Sequence, residues 1–181
     1  MPSPNRCNAF APRFVALLLI SLPAVPVWSM DFRAAGMRLA QDVDADKNSF
    51  NQYDLIARFS LPWSWAAGRW RFDTLLDASV GMLKGGGDGS VIGSLGPALE
   101  MWPEGSNWRI IAGIRPTLTN DGIYGETDLG GNFYFTSFIG VRCQFSDRWG
   151  LGYQFSHMSN AGTNDDNPGL DLHNIVLLRS F

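Results

Sequence analysis

Apolar and polar side chains alternate with a period of two along much of the chain, a pattern typical of β-strands whose two faces meet different environments. In the clearest stretch, one face consists of Trp70, Phe72, Thr74, Leu76, Ala78 and Val80, and the other of Arg71, Asp73, Leu75, Asp77 and Ser79. Similar segments lie near residues 31–40, 53–61, 90–102, 107–118, 133–145, 149–159 and 170–181, and the first is the weakest. The pattern predicts an all-β fold with eight strands.

Strands of about ten residues each have the length that crosses a bilayer at a tilt. Their charged side chains share one face: Asp54, Arg58, Asp73, Asp77, Glu100, Arg109, Arg115 and Arg142. If the apolar face contacts lipid, these charges lie inside a closed barrel, where they neutralise one another and fill the narrow eight-strand interior. A soluble barrel with a ligand cavity would have the same strand count. The charged interior and the final Phe181, which resembles the end of bacterial outer-membrane barrels, favour an eight-stranded antiparallel transmembrane β-barrel of the outer-membrane type.

The connections between the predicted strands alternate in kind. Short ones fall near residues 62–68, 103–106 and 146–148, and longer polar or glycine-rich ones near 41–51, 85–89, 120–128 and 160–169. In outer-membrane barrels, short turns face the periplasm and long loops face outward. The tryptophans at or beside the short turns are Trp63, Trp65, Trp70, Trp102, Trp108 and Trp149. We expect them to form an aromatic girdle at the periplasmic interface.

The first 29 residues have the features of an export signal that is removed. Arg6 and Arg13 precede or flank a short apolar run, residues 14–22, and the small Val27 and Ser29 fit a cleavage site after Ser29. Residues 30–181 then form a single domain. With Cys7 removed, Cys143 is alone, so we expect no disulfide and no cysteine-based metal centre. No metal or other cofactor is expected.

Charge and hydropathy exclude two further classes of protein. The formal net charge of −3 gives no basic footprint for nucleic acid. The mean hydropathy of −0.05 is too low for a polytopic helical membrane protein. The crowded interior expected of eight strands also disfavours a channel.

The seventh predicted strand contains a candidate nucleophile and base. His157 and Ser159 lie two residues apart on its bulky, lipid-facing side, about 6.6 Å apart along the strand. A titratable residue that faces lipid is a functional candidate by default. A serine becomes nucleophilic when a neighbouring histidine takes its proton and a third group orients that histidine. A polar pair wetted at a strand end is the alternative interpretation.

The eighth predicted strand offers the third group. If it folds back around a loop centred near Asn164, the numbers of opposed residues sum to about 328, and Asp171 lies opposite His157 on the outward face. His173 shares that face as a rival base or a polar interface residue. Asn160 and backbone N–H groups near Gly162 can stabilise an oxyanion, although Asn-Ala-Gly alone is an ordinary start of a loop.

A family resemblance supports the catalytic interpretation. The run Ser156, His157, Met158, Ser159, Asn160, Ala161 and Gly162, followed by Asn167, Pro168, Gly169, Asp171 and the terminal Phe181, resembles the C-terminal signature of the outer-membrane lipid A 3-O-deacylases (PagL). The motif covers about the last 26 residues, and the family's eight-stranded barrel agrees with the predicted strands. The resemblance implies Ser159 as nucleophile, His157 as general base and acid, and Asn160 with Gly162 as oxyanion groups. The family has Glu where this chain has the shorter Asp171.

The resemblance implies an outer-membrane esterase that removes the 3-linked 3-hydroxyacyl chain of lipid A by a Ser-His-acid mechanism, with its active site at the outer leaflet. Its substrate is then lipid A within lipopolysaccharide. The pattern leaves open whether the barrel is a monomer or a homodimer. The alternative hypothesis is a non-catalytic structural or adhesion barrel, in which Asp171 marks lost chemistry and the outward polar patch contacts lipid or a partner.

Overall fold

The computed structural model describes residues 30–44, 49–164 and 168–181, so the predicted signal peptide, residues 1–29, lies outside the described residues. The strands are β1 (Phe32–Asp42), β2 (Asn51–Ala67), β3 (Trp70–Gly85), β4 (Asp88–Pro103), β5 (Trp108–Thr119), β6 (Phe133–Gln144), β7 (Trp149–Ser159) and β8 (Leu170–Ser180). Each strand pairs with the next in an antiparallel meander, and β1 pairs with β8 to close the barrel. The predicted eight-stranded fold is confirmed. Within the described residues, no helix is long and apolar enough to cross a membrane.

The two faces of the strands separate as the alternation predicted. Leu55 on β2 points outward and is 62% exposed, whereas its neighbour Asp54 is 3% exposed inside the barrel. Other exposed apolar side chains include Val80, Leu95, Ile139 and Ile175. Such a large apolar outer surface is unfavourable in contact with water and favourable in contact with lipid.

Ion pairs occupy the barrel interior. Asp77 accepts hydrogen bonds from Arg58 at 2.8 Å and from Arg115 at 2.6 Å. Glu100 accepts a hydrogen bond from Arg142 at 2.7 Å. The attraction within these ion pairs offsets the free energy that each charge loses on leaving water. The prediction that the charged face lies inside is therefore confirmed for them.

Two of the predicted interior charges lie nearer the barrel end. Asp73 pairs with Arg33, whose side chain is 45% exposed, and Arg109 lies 3.3 Å from Glu100 with a quarter of its side chain exposed. Both belong to strand ends on the same side of the barrel as the start of β1 and the end of β8, where water reaches the barrel mouth.

An apolar cluster closes the opposite end of the interior, where the longer loops are. Its members are Ala40, Phe50, Leu83, Ile92, Tyr124, Leu129, Tyr134, Met158, Leu170 and Leu172. Tyr124 and Leu129 come from the β5–β6 connection, in which Ile123–Tyr124 pairs with Thr127–Asp128. The Tyr124 hydroxyl lies in hydrogen-bonding contact with Ser90, and burial raises the pKa of this tyrosine. This loop therefore folds into the barrel mouth instead of projecting as a polar excursion.

Two predicted connections were wrong in extent. The supposed longer loop at residues 85–89 is a tight turn, because β3 and β4 pair as far as Gly85 opposite Asp88. Gly86 and Gly87 form that turn with φ angles of 58° and 92°, which glycine adopts without steric cost. The short connection predicted from Pro62 is shorter still, since β2 continues to Ala67 after a register shift between Ser60 and Ser64. A shift suits Pro62, which has no N–H to donate to the ladder.

The tryptophans lie at one end of the barrel, as predicted. They occupy the last residues of β2 and β4 and the first residues of β3, β5 and β7: Trp63, Trp65, Trp102, Trp70, Trp108 and Trp149. The start of β1 and the end of β8 are at this same end. One end of the barrel is thus rich in tryptophan and contains the start of β1 and the end of β8. The opposite end has the longer loops.

Candidate active site

His157 and Asp171 form a hydrogen-bonded pair on the outer wall near the loop end of the barrel. The two residues are opposed in the β7–β8 ladder, which confirms the register predicted from the sequence. The distance from His157 Nδ1 to Asp171 Oδ1 is 2.7 Å, and the two side chains are 47% and 48% exposed. A carboxylate on Nδ1 orients the ring and leaves Nε2 as the nitrogen that can exchange a proton with a substrate or nucleophile.

Ser159 is the last residue of β7 and lies on the same outward face as His157. It is half-buried and stands opposite Phe135 of β6. Within the described residues, no hydrogen bond joins the Ser159 hydroxyl to the His157 ring. The spacing of about 6.6 Å between alternate residues leaves a gap that side-chain rotation can narrow.

A second serine, Ser137, flanks His157 from the other side. It lies directly opposite His157 in the β6–β7 ladder and faces outward, so Ser137, His157 and Asp171 form a row across three neighbouring strands. Sequence reasoning missed this residue. The register arithmetic that identified Asp171 could have found it, because the short turn near Asp147 fixes the pairing of β6 with β7.

The chain after Ser159 forms a tight turn held by Asn160. The Thr163 N–H donates to the Asn160 carbonyl at 3.1 Å, and Ala161 and Gly162, at the centre of the turn, have φ angles of 54° and 74°. The Gly162 N–H also donates to Asn160 Oδ1 at 2.9 Å. Positive φ at both central residues is the feature of a type I′ turn, in which an alanine is strained.

Asn160 is fully buried and links this turn to the β5–β6 loop. Its Nδ2 donates to the carbonyl oxygen of Gly130 at 3.0 Å, and Asn164 Nδ2 donates to the same oxygen at 2.5 Å. The two residues predicted as oxyanion groups, Asn160 and Gly162, thus each make a hydrogen bond within the protein. No sequence pattern indicated the contribution of Gly130, which lies 30 residues away along the chain.

Gly169 packs over the His157 ring. A Cβ atom added at this position would lie 3.1 Å from His157 Cε1 and 3.8 Å from Nε2, and the φ angle of Gly169 is +70°. Both the close approach and the backbone conformation require glycine. The absent side chain leaves the Nε2 edge of the ring accessible.

His173, the rival base, does not pair with His157. Its Nδ1 lies 2.5 Å from the hydroxyl of Tyr153, and its ring packs edge-on against Phe155. The structure therefore places Asp171, and not His173, on His157.

A sequence model of the family described as "Lipid A 3-O-deacylase (PagL)" matches residues 51–179, most of the barrel. The chain belongs to the lipid A 3-O-deacylase (PagL) family. It is 31% identical over 80 residues to the lipid A deacylase PagL of Bordetella bronchiseptica, a match that covers 44% of this chain and 45% of that protein. It is 27% identical over 145 residues to the lipid A deacylase PagL of Pseudomonas aeruginosa, which covers 75% of this chain and 84% of that protein.

A solved structure agrees with the fold. The crystal structure of the outer membrane enzyme PagL superposes with a TM-score of 0.67 and 23% sequence identity, over 79% of this chain and 97% of that one. Family and fold together make this chain an outer-membrane β-barrel of the lipid A 3-O-deacylase family, as the sequence resemblance implied.

Asp171 stands where the sequence resemblance implies Glu, whose side chain is one methylene longer, about 1.5 Å. The 2.7 Å contact shows that the shorter carboxylate reaches His157. Its backbone is also fixed on the β1 side, since the Asp171 carbonyl accepts a hydrogen bond from Val43 N–H at 3.0 Å and the next residue, Leu172, pairs with Asp42 of β1. Asp171 is thus held in the ladder between two strands.

Proposed function

We propose that this protein hydrolyses the ester that links a 3-hydroxyacyl chain to the 3-position of lipid A, in the outer leaflet of the outer membrane. The observation that supports this most is the His157 Nδ1 to Asp171 Oδ1 contact of 2.7 Å, on the lipid-facing wall and on the same face as Ser159. Membership of the lipid A 3-O-deacylase family supports the identity of the substrate. All the proposed groups come from a single chain, so the proposal holds for a monomer and for a homodimer.

Ser159 is the nucleophile in this mechanism and His157 is the base. The Ser159 hydroxyl passes its proton to His157 Nε2 as its oxygen bonds to the ester carbonyl carbon. Asp171 stabilises the imidazolium that forms. The tetrahedral intermediate then collapses, the bond to the sugar oxygen breaks, and His157 returns the proton to that oxygen. The short rotation that aligns the Ser159 hydroxyl with Nε2 belongs to substrate binding, because catalytic hydrogen bonds often tighten only in the complex.

Water completes the reaction. It attacks the acyl-Ser159 ester, His157 takes its proton and returns one to the departing Ser159 oxygen, and the enzyme is regenerated. One water molecule is consumed for each ester cleaved. The products are a free 3-hydroxy fatty acid and a lipid A with one acyl chain fewer.

Asn160 and Gly162 are the proposed oxyanion groups, and each already makes a hydrogen bond within the protein. Asn160 Nδ2 donates to Gly130, and the Gly162 N–H donates to Asn160 Oδ1. Any of these N–H groups that stabilises the oxyanion must therefore exchange its internal hydrogen bond for one to the substrate. The turn centred on Ala161, whose φ of 54° is strained, places the Gly162 N–H three residues after Ser159.

The outer wall beside His157 offers a surface for the acyl chain. A shallow hollow of about 240 Å³ lies against the ring, lined by Ser137, Phe138, Ile139, Phe155 and His157. Further down the same strands, a larger hollow of about 590 Å³ is lined mostly by apolar side chains: Trp108, Val141, Cys143, Phe145, Leu151, Gly152, Tyr153 and Ile175. An acyl chain that enters at His157 can follow these hollows into the lipid.

The two unlike ends of the barrel support the proposed orientation. Trp70 and Trp108 lie at the barrel end that contains the start of β1 and the end of β8. This end suits the periplasmic surface of the membrane, because aromatic side chains are enriched where a membrane meets water. The longer loops, and with them His157 and Ser159, then face outward. In this orientation, we expect the proposed site at the depth of the ester-linked chains of the outer leaflet.

Mass spectrometry of lipid A from cells that express the protein tests the proposal. The unsubstituted protein should lower the lipid A mass by one hydroxyacyl chain, and Ser159→Ala should abolish the shift while the barrel remains folded. Ser137→Ala is the matched control, because Ser137 is the other serine beside His157, and it should retain the shift. The reverse result would make Ser137 the nucleophile. A lipid A mass that the unsubstituted protein leaves unchanged would favour the structural or adhesion barrel.

A further inference from the structure

A polar cavity lies inside the barrel at its tryptophan-rich end, opposite the end that carries His157. Its volume is about 230 Å³. Along β8, Ser180 beside the cavity is separated from Asp171 of the proposed active site by about 30 Å of strand. The charged side chains that line the cavity are those of Arg33, Arg58, Arg109, Arg142, Glu100 and Asp147. None of them takes part in the proposed esterase mechanism.

Arginines outnumber the carboxylates that pair with them in the barrel interior and at this mouth. Within the part of the chain that the structure describes, six arginines pair with four carboxylates there: Arg33, Arg38, Arg58, Arg109, Arg115 and Arg142 with Asp54, Asp73, Asp77 and Glu100. Asp77 and Glu100 are each shared by two arginines, so each of these two groups keeps one excess positive charge. Arginine stays protonated in proteins, and an uncompensated buried charge is strongly destabilising. An anion beside these groups would therefore stabilise the barrel.

Three of the arginines that line the cavity have unused N–H groups. Arg58 is 3% exposed, and of its guanidinium nitrogens only Nε donates a hydrogen bond among the described residues. Arg109 donates only through Nη1, to Glu100, and its guanidinium lies 4.1 Å from the centre of the Trp102 ring. The buried Nε of Arg142 has no hydrogen-bond partner in the described part of the chain. These groups need an acceptor, because an unpaired buried donor costs free energy.

We propose that the cavity binds an oxyanion of the phosphate type through Arg58, Arg109 and Arg142. Each oxygen of a phosphate accepts hydrogen bonds, and the planar guanidinium fork donates to such oxygens in pairs. The negative charge of the anion offsets the excess positive charge of the two shared groups. Asp147 opposes binding, but its side chain is exposed, and water and salt weaken the repulsion. This second site does not depend on the proposed esterase function.

Equilibrium dialysis of the folded barrel against radiolabelled inorganic phosphate, in an uncharged detergent, tests the proposal. We expect saturable binding of one phosphate per barrel. Arg109→Gln should weaken this binding by about tenfold or more, as expected for the loss of a hydrogen bond to a charged group. The barrel should tolerate this change, because a quarter of the Arg109 side chain is exposed and Glu100 keeps Arg142. The difference in gel mobility between heated and unheated samples shows that each barrel is folded.

Arg71→Gln is the matched control. Arg71 pairs with Glu104 at the same end of the barrel, where both side chains are largely exposed, and it does not line the cavity. This variant loses the same charge as Arg109→Gln and should bind phosphate as the unsubstituted protein does. Arg109→Lys keeps the charge without the planar fork, and its affinity for phosphate should lie between those of the unsubstituted protein and Arg109→Gln.

Competing anions distinguish the two sources of phosphate that can reach this end of the barrel, the free ion and a lipid headgroup. Glycerol 3-phosphate serves as a soluble analogue of the headgroup. If it displaces inorganic phosphate at similar concentrations, the site accepts phosphate esters. If it does not, the site is specific for the free ion. Either result supports the proposal.

Three outcomes would overturn the proposal. Binding by the unsubstituted protein that does not saturate would show that the cavity holds no defined anion. Equal affinity of the unsubstituted protein and a folded Arg109→Gln variant would place any bound phosphate elsewhere. Displacement of phosphate by an equal concentration of chloride would show attraction of counter-ions in general, without recognition of an oxyanion.

Discussion

Asp171 of β8 lies directly opposite His157 of β7, and the atoms Oδ1 and Nδ1 of the two residues are 2.7 Å apart. The contact spans two strands, so the position of the carboxylate is fixed by the backbone ladder and not by a flexible loop. A site on regular strands holds its groups more precisely than a site on loops. The barrel wall therefore serves as the rigid support for the proposed catalytic pair.

The Asp171 carboxylate should be needed for its charge and position. Asp171→Asn keeps the shape but removes the charge that stabilises the His157 imidazolium, and we expect kcat to fall by at least about 100-fold. Asp171→Glu restores the residue of the family pattern and should keep kcat within about tenfold, because the longer side chain has room on this exposed surface. Rates of fatty acid release measure both. Equal activity of the Asn variant and the unsubstituted protein would exclude Asp171 from the mechanism.

Substitution of Asn160 should separate the oxyanion role from a purely structural one. Asn160→Ala should lower kcat by about 100- to 1000-fold if its amide stabilises the oxyanion. Asn164→Ala is the matched control, because Asn164 donates to the same Gly130 carbonyl and has no proposed part in the chemistry. Similar and small losses of kcat in both variants, with equal losses of thermal stability, would show that Asn160 only fastens the two loops together.

The strands and the position of Asp171 could be predicted because both depend on regular periodicity. Alternation identifies each strand. Once the centre of the connecting loop is known, the regular pairing of an antiparallel ladder identifies the residue opposite His157. The contact between Asn160 and Gly130 could not be predicted in this way, because it joins two irregular loops whose paths follow from packing at the barrel mouth. Tyr124 shows the same limit, since its loop appeared polar in sequence yet fills the interior.

Turn geometry escaped prediction for a different reason. The three glycines at residues 85–87 suggested a longer connection, but a Gly86-Gly87 turn allows β3 and β4 to pair to their ends. Composition alone does not distinguish a flexible glycine-rich loop from a tight turn that requires positive φ.

Gly169→Ala should lower activity by displacing His157. The added Cβ would lie 3.1 Å from His157 Cε1, and a shifted ring should reduce kcat by about 10- to 100-fold. Gly105→Ala is the matched control for backbone strain, since Gly105 has a φ angle of +78° and no atom within 4 Å of an added Cβ. It should lose stability but keep kcat. If both variants keep full kcat per folded molecule, Gly169 has no role in the access to His157.

Asp77 should be the most sensitive charge of the barrel interior, because it accepts hydrogen bonds from two buried arginines, Arg58 and Arg115. Asp77→Ala leaves both guanidinium groups without this partner and should reduce the free energy of unfolding by about 3–5 kcal/mol. Glu104→Ala is the control, since Glu104 pairs with Arg71 where both side chains are largely exposed, and such pairs contribute about 0–1 kcal/mol. Urea titration of the barrel in detergent, followed by tryptophan fluorescence, measures both. Equal shifts for the two variants would mean that water solvates the interior arginines and that the barrel does not depend on this ion-pair network.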